Sequence, residues 1–372
     1  LSSQSISTTD SSQRSSVCIE RPRRGVHMRQ SLLRIKLNRV LIVGECKLQY
    51  LTFRELNGYD EDYIYNFMGS DEISTNRGSS DDSTENIGID NIQLFRISNE
   101  LLKRTIIFAD ESEVYEKSPH VHSSACDVVR SIIAELSLGE KNMILLLLRK
   151  LAFGDNLALV SYCPFCKEKM TQNVATTELV NSGKDSGVCS TATSLQQSDS
   201  IYQLSYDVVA RDHQNGRDYM LNIRPIIVGN LQDIYDSIMG KKIDSSELSV
   251  KREVIEKIVH MNVLKSVPAL PVDIYSNAKD LALAIVERIG DLDPLSNIRL
   301  SLTCPQCEKR FLEDFYPEYF VFKEIAFYHS FLEHDLNWIA LHYGWTEGDI
   351  TELPISRRKR YVNLINRTYS GV

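Results

Sequence analysis

Apolar and polar residues divide the chain into zones of different period. Residues 1–31 hold Ser, Thr, Gln and Arg with almost no apolar rhythm, which reads as a disordered tail. From Leu32 onward, RIKLNRVLIVGECKLQYLTFREL reads as two or three short strands with a turn at Gly44. NGYDEDYIYNFM follows as a turn entering a helix. In NIQLFRISNELLKRTIIFAD, Leu101, Leu102, Ile106 and Ile107 fall at helical spacing. SSACDVVRSIIAELSLGEKNMILLLLRKLAFGD predicts two helices, near 124–136 and 139–152. The break lies at Ser137 or Gly139, and Gly154 closes the second helix.

The next segment, LALVSYCPFCKEKMTQNV, reads as strand, knuckle, strand. YQLSYDVVARDHQNGRDYMLNIRPIIVG reads as a hairpin turning at Asn215-Gly216. NLQDIYDSIM and residues 246–265 are predicted helices, and Pro268 and Pro271 break the chain beyond them. NAKDLALAIVERIGDL is amphipathic, with Leu281, Ile285 and Ile289 on one stripe. IRLSLTCPQCEKRFLEDF then repeats strand, knuckle, strand. After Pro317 the chain is predicted helical to its end, with Thr346 (beside Asp349) and Ser356 as N-caps. Polar insertions are expected at 69–90, which is acidic, and at 181–200.

Length and composition narrow the class. At 372 residues the chain is long enough for two or three domains. Its net charge of −8 argues against a surface built throughout to grip nucleic acid. The longest apolar run, MILLLL at 143–148, is too short to cross a bilayer, so no membrane span is expected. No basic-then-apolar leader opens the chain, so no signal peptide is expected, and the first residue, Leu1, leaves room for a start further upstream. A reducing compartment follows as the default, where spaced cysteines are metal ligands more often than disulfides.

Of eight cysteines, Cys18, Cys46, Cys126 and Cys189 are scattered. The other four form two C-x-x-C pairs, Cys163/Cys166 and Cys304/Cys307, each flanked by strand-like sequence. These are the two halves of a zinc ribbon. Two intervening residues let one tight turn aim both sulfurs at one point, and Zn2+ takes four such ligands in a tetrahedron. The halves are separated by 137 residues (167 through 303), so the metal would act as a structural clamp closing a long loop. A redox C-x-x-C is the main rival, but that motif belongs beside a βαβ pattern. Catalytic zinc ranks lower, because four cysteines leave no position for water.

Other candidates favour plain readings. His120 and His122 read as solvated loop histidines, and His329, His334 and His342 as helix-surface or interface residues. H-E-x-x-H, G-x-S-x-G and a phosphate-binding Gly-rich loop do not occur, so nothing calls for an enzyme. RRKR at 357–360 reads as a solvated or protein-contacting face. The aromatic residues crowding the C-terminal third read as core first and partner interface second.

The ending FVFKEIAFYHSFLEHDLNWIALHYGWTEGDITELPISRRKRYVNLI resembles the C-terminus of the T-even-phage baseplate protein family, which has relatives in contractile phage tails and contractile injection systems. The shared features are Glu324-Ile325, His342-Tyr343-Gly344-Trp345-Thr346-Glu347, Asp349-Ile350, Leu353-Pro354, Arg357 to Arg360, and Tyr361 to Ile365. Upstream, LTFRELNGYDED and LLLLRKLAFGD followed by CPFC are similar to further family elements. Asn57 stands where the family usually has Thr, and the second knuckle lacks the common Gly after its second Cys. The resemblance implies a non-enzymatic structural or assembly component of a baseplate or hub. It would be made in the cytoplasm of the producing cell, and would either act only during assembly or stay in the finished particle.

The expectation is therefore an α+β protein: a mixed strand-helix body with a split four-cysteine zinc ribbon and a helical C-terminal arm. Its parts are a tail (1–31), an N-terminal α+β region (32–160), the split ribbon (161–180 plus 298–316), a central hairpin-helix region (201–297) and the arm (317–372). Zn2+ is the expected cofactor, on Cys163, Cys166, Cys304 and Cys307. Baseplate, hub or spike subunits are the expected partners, met through Trp338, His342, Tyr343, Trp345, Arg357, Arg358, Arg360 and Tyr361. No small-molecule substrate is expected. A zinc-ribbon nucleic-acid-binding protein is the alternative.

Overall fold

The computed structural model describes residues 32–43, 46–68, 87–107, 125–185, 205–212, 214–239 and 247–369. The tail, the turn at Gly44, His120 and His122, and most of both polar insertions lie outside the described residues.

Strands β1 (Leu32–Val43) and β2 (Cys46–Arg54) pair antiparallel, with a register shift between Lys36 and Leu41. Period-two burial makes one face apolar: Ile35 and Leu37 point in, while Arg34 and Lys36 stay exposed. Helix α1 (Gly58–Met68) follows, then α2 (Ile87–Thr105) and a two-residue strand β3 (Ile106–Ile107) on β2. The expected loop to residue 90 is thus shorter, because α2 starts at Ile87. A helix can open on a polar turn, since its first N–H groups have no intrahelical partner. Ile106 and Ile107, expected to extend the helix, pair as a strand instead.

Helices α3 (Ala125–Glu135) and α4 (Leu138–Phe153) lie close to the predicted spans. Ser137 caps α4 through a full capping box with Glu140, and Gly154 ends it at φ 95°. The run MILLLL is apolar on all sides because α4 is wedged between two cores. Ile144, Leu145 and Leu148 enter the first, with β1–β2 and α1–α3. Leu146 enters another, at the base of the knuckle hairpins.

Strands β4 (Asn156–Tyr162) and β5 (Lys169–Ala175) form the first knuckle hairpin, followed by α5 (Thr176–Asp185). Strands β6 (Tyr206–Asp212) and β7 (Arg217–Ile223) form the central hairpin, and Gly216 takes φ 64° in its turn. Helices α6 (Val228–Met239) and α7 (Glu247–Asn262) come next. The helix expected to reach 265 ends at Asn262. Residues Val263–Val267 instead form β8, a third strand on β7. A short turn α8 (Ile274–Asn277) leads into α9 (Lys279–Asp291), whose Leu281, Ile285 and Ile289 stripe is buried against the β6–β8 sheet in a second core.

The second knuckle hairpin is β9 (Ile298–Thr303) and β10 (Arg310–Phe315). Helices α10 (Pro317–His329), α11 (Leu332–Tyr343), α12 (Glu347–Thr351) and α13 (Ile355–Tyr369) complete the chain. The C-terminal stretch is helical as expected, but it is not detached from the body. Val321, Phe322 and Ile325 of α10 and Ile355 of α13 sit in the first core. Thr346 caps α12 with Asp349 as predicted. Ser356 is no cap: α13 starts one residue earlier, and the Ser356 N–H is taken by Glu55 Oε1 at 3.1 Å.

Candidate metal centre

Each knuckle is a tight turn at the tip of a hairpin, and the two turns are built alike. In the first, the Cys163 N–H donates to the Glu168 carbonyl at 2.9 Å, and the Lys167 N–H returns to the Cys163 carbonyl at 2.9 Å. In the second, Cys304 N–H reaches the Lys309 carbonyl at 3.1 Å, and Glu308 N–H reaches the Cys304 carbonyl at 2.9 Å. Pro164 and Pro305 pre-set the backbone where each turn begins. Lys167 and Glu308 both adopt left-handed backbone, at φ 62° and 57°. These are the positions directly after the second cysteine of each pair.

Hairpins β4–β5 and β9–β10 share an apolar base of Leu157, Leu159, Ile298 and Phe315. That base brings the tips together. Cys163 Sγ lies 3.6 Å from Cys307 Sγ, and Cys166 Sγ lies 3.5 Å from Cys304 Sγ. All four sulfurs lie within 4.8 Å of one another, an arrangement suited to one metal ion. They are too far apart for disulfides, whose S–S bond is about 2.05 Å. A tetrahedron with metal–sulfur bonds near 2.3 Å has edges of about 3.8 Å, close to these spacings. Cys163 and Cys304 are fully buried, with Met170 and Phe311 packed on them, while Cys166 is exposed.

Crowding sets the thiol chemistry. Burial pushes the Cys163 thiol up, but the N–H groups of Cys166 and Phe165 and the neighbouring sulfurs bring it down to about 6. At Cys166 the Glu168 N–H favours the thiolate, yet loss of water around its sulfur and the other three sulfurs carry it up to about 12, although the residue as a whole is exposed. Without a cation, Cys163 is the sulfur that holds the charge, while Cys166 and Cys307 are pushed toward keeping their protons. A divalent cation would favour all four thiolates.

The C-terminal residues divide. Trp338 is half-buried and its Nε1 donates to Asn366 Oδ1 at 3.0 Å. The His342 ring packs on Trp338 and Tyr369. Tyr343, Trp345 and Tyr361 form a three-ring cluster with centroids 5.2–5.5 Å apart. Arg360 is exposed and Arg357 half-buried. Arg358 departs from expectation. It is 1% exposed, paired with Glu61 and, at 3.4 Å, with Asp335, so it braces α13 against α1 and α11 and presents nothing to a partner. Helical phase turns it inward while its neighbours stay outside. His329 is likewise internal in role, 2.7 Å from Asp62 and stacked on Tyr65. His334 is exposed.

Sequence reading missed the buried charges. Arg149, 1% exposed, forks onto Glu324 at 2.7 and 2.8 Å and donates to the carbonyls of Gly154 and Asn156. Lys141 is fully buried, 2.6 Å from Glu318 and over the Phe95 ring, and burial lowers its pKa. The available signal was a cation inside an apolar helical run. Among the described residues no helix is long and apolar enough to cross a membrane. Comparison of the chain with protein-family models, with curated proteins and with solved structures found no match.

Proposed function

We propose that Cys163, Cys166, Cys304 and Cys307 hold one structural zinc ion, in a non-enzymatic structural or assembly component of the baseplate or hub of a contractile tail or injection system. The zinc assignment is carried by the four sulfurs within 4.8 Å on two matching knuckles. Zn2+ suits an all-thiolate tetrahedral site, and such a site offers no open position for substrate. The residues themselves supply the rest. The turns aim the sulfurs, Met170 and Phe311 cover them, and the hairpin base keeps the tips in register.

The baseplate assignment rests on the resemblance, and the way its segments engage one another supports it. Arg149 of LLLLRKLAFGD grips Glu324 of the EI step. Glu61 of LNGYDED grips Arg358 of RRKR, and Asn57 bridges to Pro354. Segments far apart in sequence act as one framework, which suits a rigid building part. The exposed residues of the C-terminal helices, Tyr343 and Arg360 among them, then dock neighbouring subunits. Two experiments test this. Elemental analysis of protein purified without chelator should give one zinc per chain, and iron or no metal would overturn the cofactor assignment. Deleting the gene from a producing strain should leave tails without complete baseplates under the electron microscope. Normal yields of intact, contractile particles would overturn the assembly role.

A further inference from the structure

The β6–β7–β8 sheet has one face in the second core and one in solvent, and the solvent face breaks the usual alternation. Tyr219, Leu221 and Ile223 of β7 point inward and are buried. Outward, Val209, Met220 and Val267 are direct cross-strand partners, so they form one apolar row across all three strands. They are 59%, 62% and 47% exposed. Adjacent exposed apolar residues in register are a signature of contact surfaces. Polar rows flank them. On one side Arg211 pairs with Asp218 at 3.7 Å. On the other, Asn222 Nδ2 donates to Asp207 Oδ1 at 2.8 Å, with Lys265 next in line on β8.

We infer that this face is a self-association surface, on which a second copy of the chain packs about a two-fold axis running along the Val209–Met220–Val267 row. The order of charges selects the second copy and the axis. Rotation about that row lays like strand over like strand and exchanges the flanking rows. Arg211 then faces the partner's Asp207, and Asp218 faces the partner's Asn222, with no like charges opposed. An axis along β7 would instead set Asp218 against the partner's Asp218. Isologous contacts require this kind of self-complementarity, and stacked sheets bring such side chains together at about 10 Å spacing. A stable dimer buries about 800 Å² per partner, more than one apolar row provides, so the association is reversible and concentration-dependent. It stands apart from the zinc and baseplate assignments.

Sedimentation velocity of the full chain under reductant, over a concentration series, tests it. Wild type should pass from monomer to dimer. Met220→Lys should raise the midpoint concentration at least tenfold. Arg211→Asp and Asp207→Arg should each do the same, because each sets like charges across the axis. The double variant should return the midpoint to within a few-fold of wild type. All three positions are exposed, and matched circular dichroism melts verify folding. A wild-type chain that stays monomeric at every concentration, undiminished association of Met220→Lys, or a double variant as weak as the singles would each overturn the inference.

Discussion

At the residue scale, the two positions after the second cysteines carry the clearest consequence. Lys167 and Glu308 hold left-handed backbone, which side chains with a Cβ disfavour by about 1–2 kcal/mol and glycine does not. The hydrogen bonds that close each turn demand that conformation whatever residue is present. Lys167→Gly and Glu308→Gly should each stabilise the folded chain, by about 1 kcal/mol after the extra freedom glycine has when unfolded. Urea denaturation with the metal retained measures this, and a loss of stability would show that the turns lack this backbone. The sequence displayed the cysteines plainly. It did not display the strain, because backbone sign is imposed by the hydrogen bonds that close each turn.

Elements are joined by buried charge as much as by apolar contact. Arg149 on α4 and Glu324 on α10 form a two-pronged pair, and the remaining guanidinium donors end on carbonyls and Thr176. Removing one partner strands the other in the interior. Glu324→Leu should destabilise by about 3–5 kcal/mol. Adding Arg149→Met should recover part of that loss, and strictly additive effects in the unfolding cycle would show the two are uncoupled. Helix α9 was legible because its apolar stripe has one period and one destination. Strand β8 was not, because Val263 to Val267 continue a helical pattern locally and become a strand only where the β7 edge offers hydrogen bonds. On α9, Ile285→Ala should cost about 2–5 kcal/mol by opening a cavity against the β6–β8 sheet.

For the whole molecule, a metal ion on the four clustered sulfurs would close the chain between residues 166 and 304 on itself. Chelation should therefore lower the melting temperature of the entire protein, and Cys304→Ser should do so without chelator. An unchanged melting temperature and metal content in that variant would refute the clamp. Acid should act the same way. Metal binding needs thiolates, so the loaded state carries fewer protons than the free one, and its advantage shrinks as pH falls. With Cys166 near 12 and Cys307 also raised in the metal-free protein, the loss should begin above neutral pH and steepen below about pH 6, where Cys163 takes up a proton as well. Melting temperatures of loaded and chelated protein should converge there, and a gap that persists to strong acid would count against thiolate ligation.

Read alone, the amino-acid order determined the local and covalent matters: a helix break at Ser137 or Gly139, the turn at Asn215-Gly216, the α9 stripe, and two C-x-x-C pairs. These depend on neighbours within a few positions, where sterics and period act directly. The tertiary structure decided what those pieces meet. It set the hairpin base on which the two knuckles meet, took Arg358 into the interior, wedged α4 between two cores, and tied α10 into the body. Each outcome depends on groups over a hundred residues away, or on how several elements pack at once, and no local pattern encodes such distances.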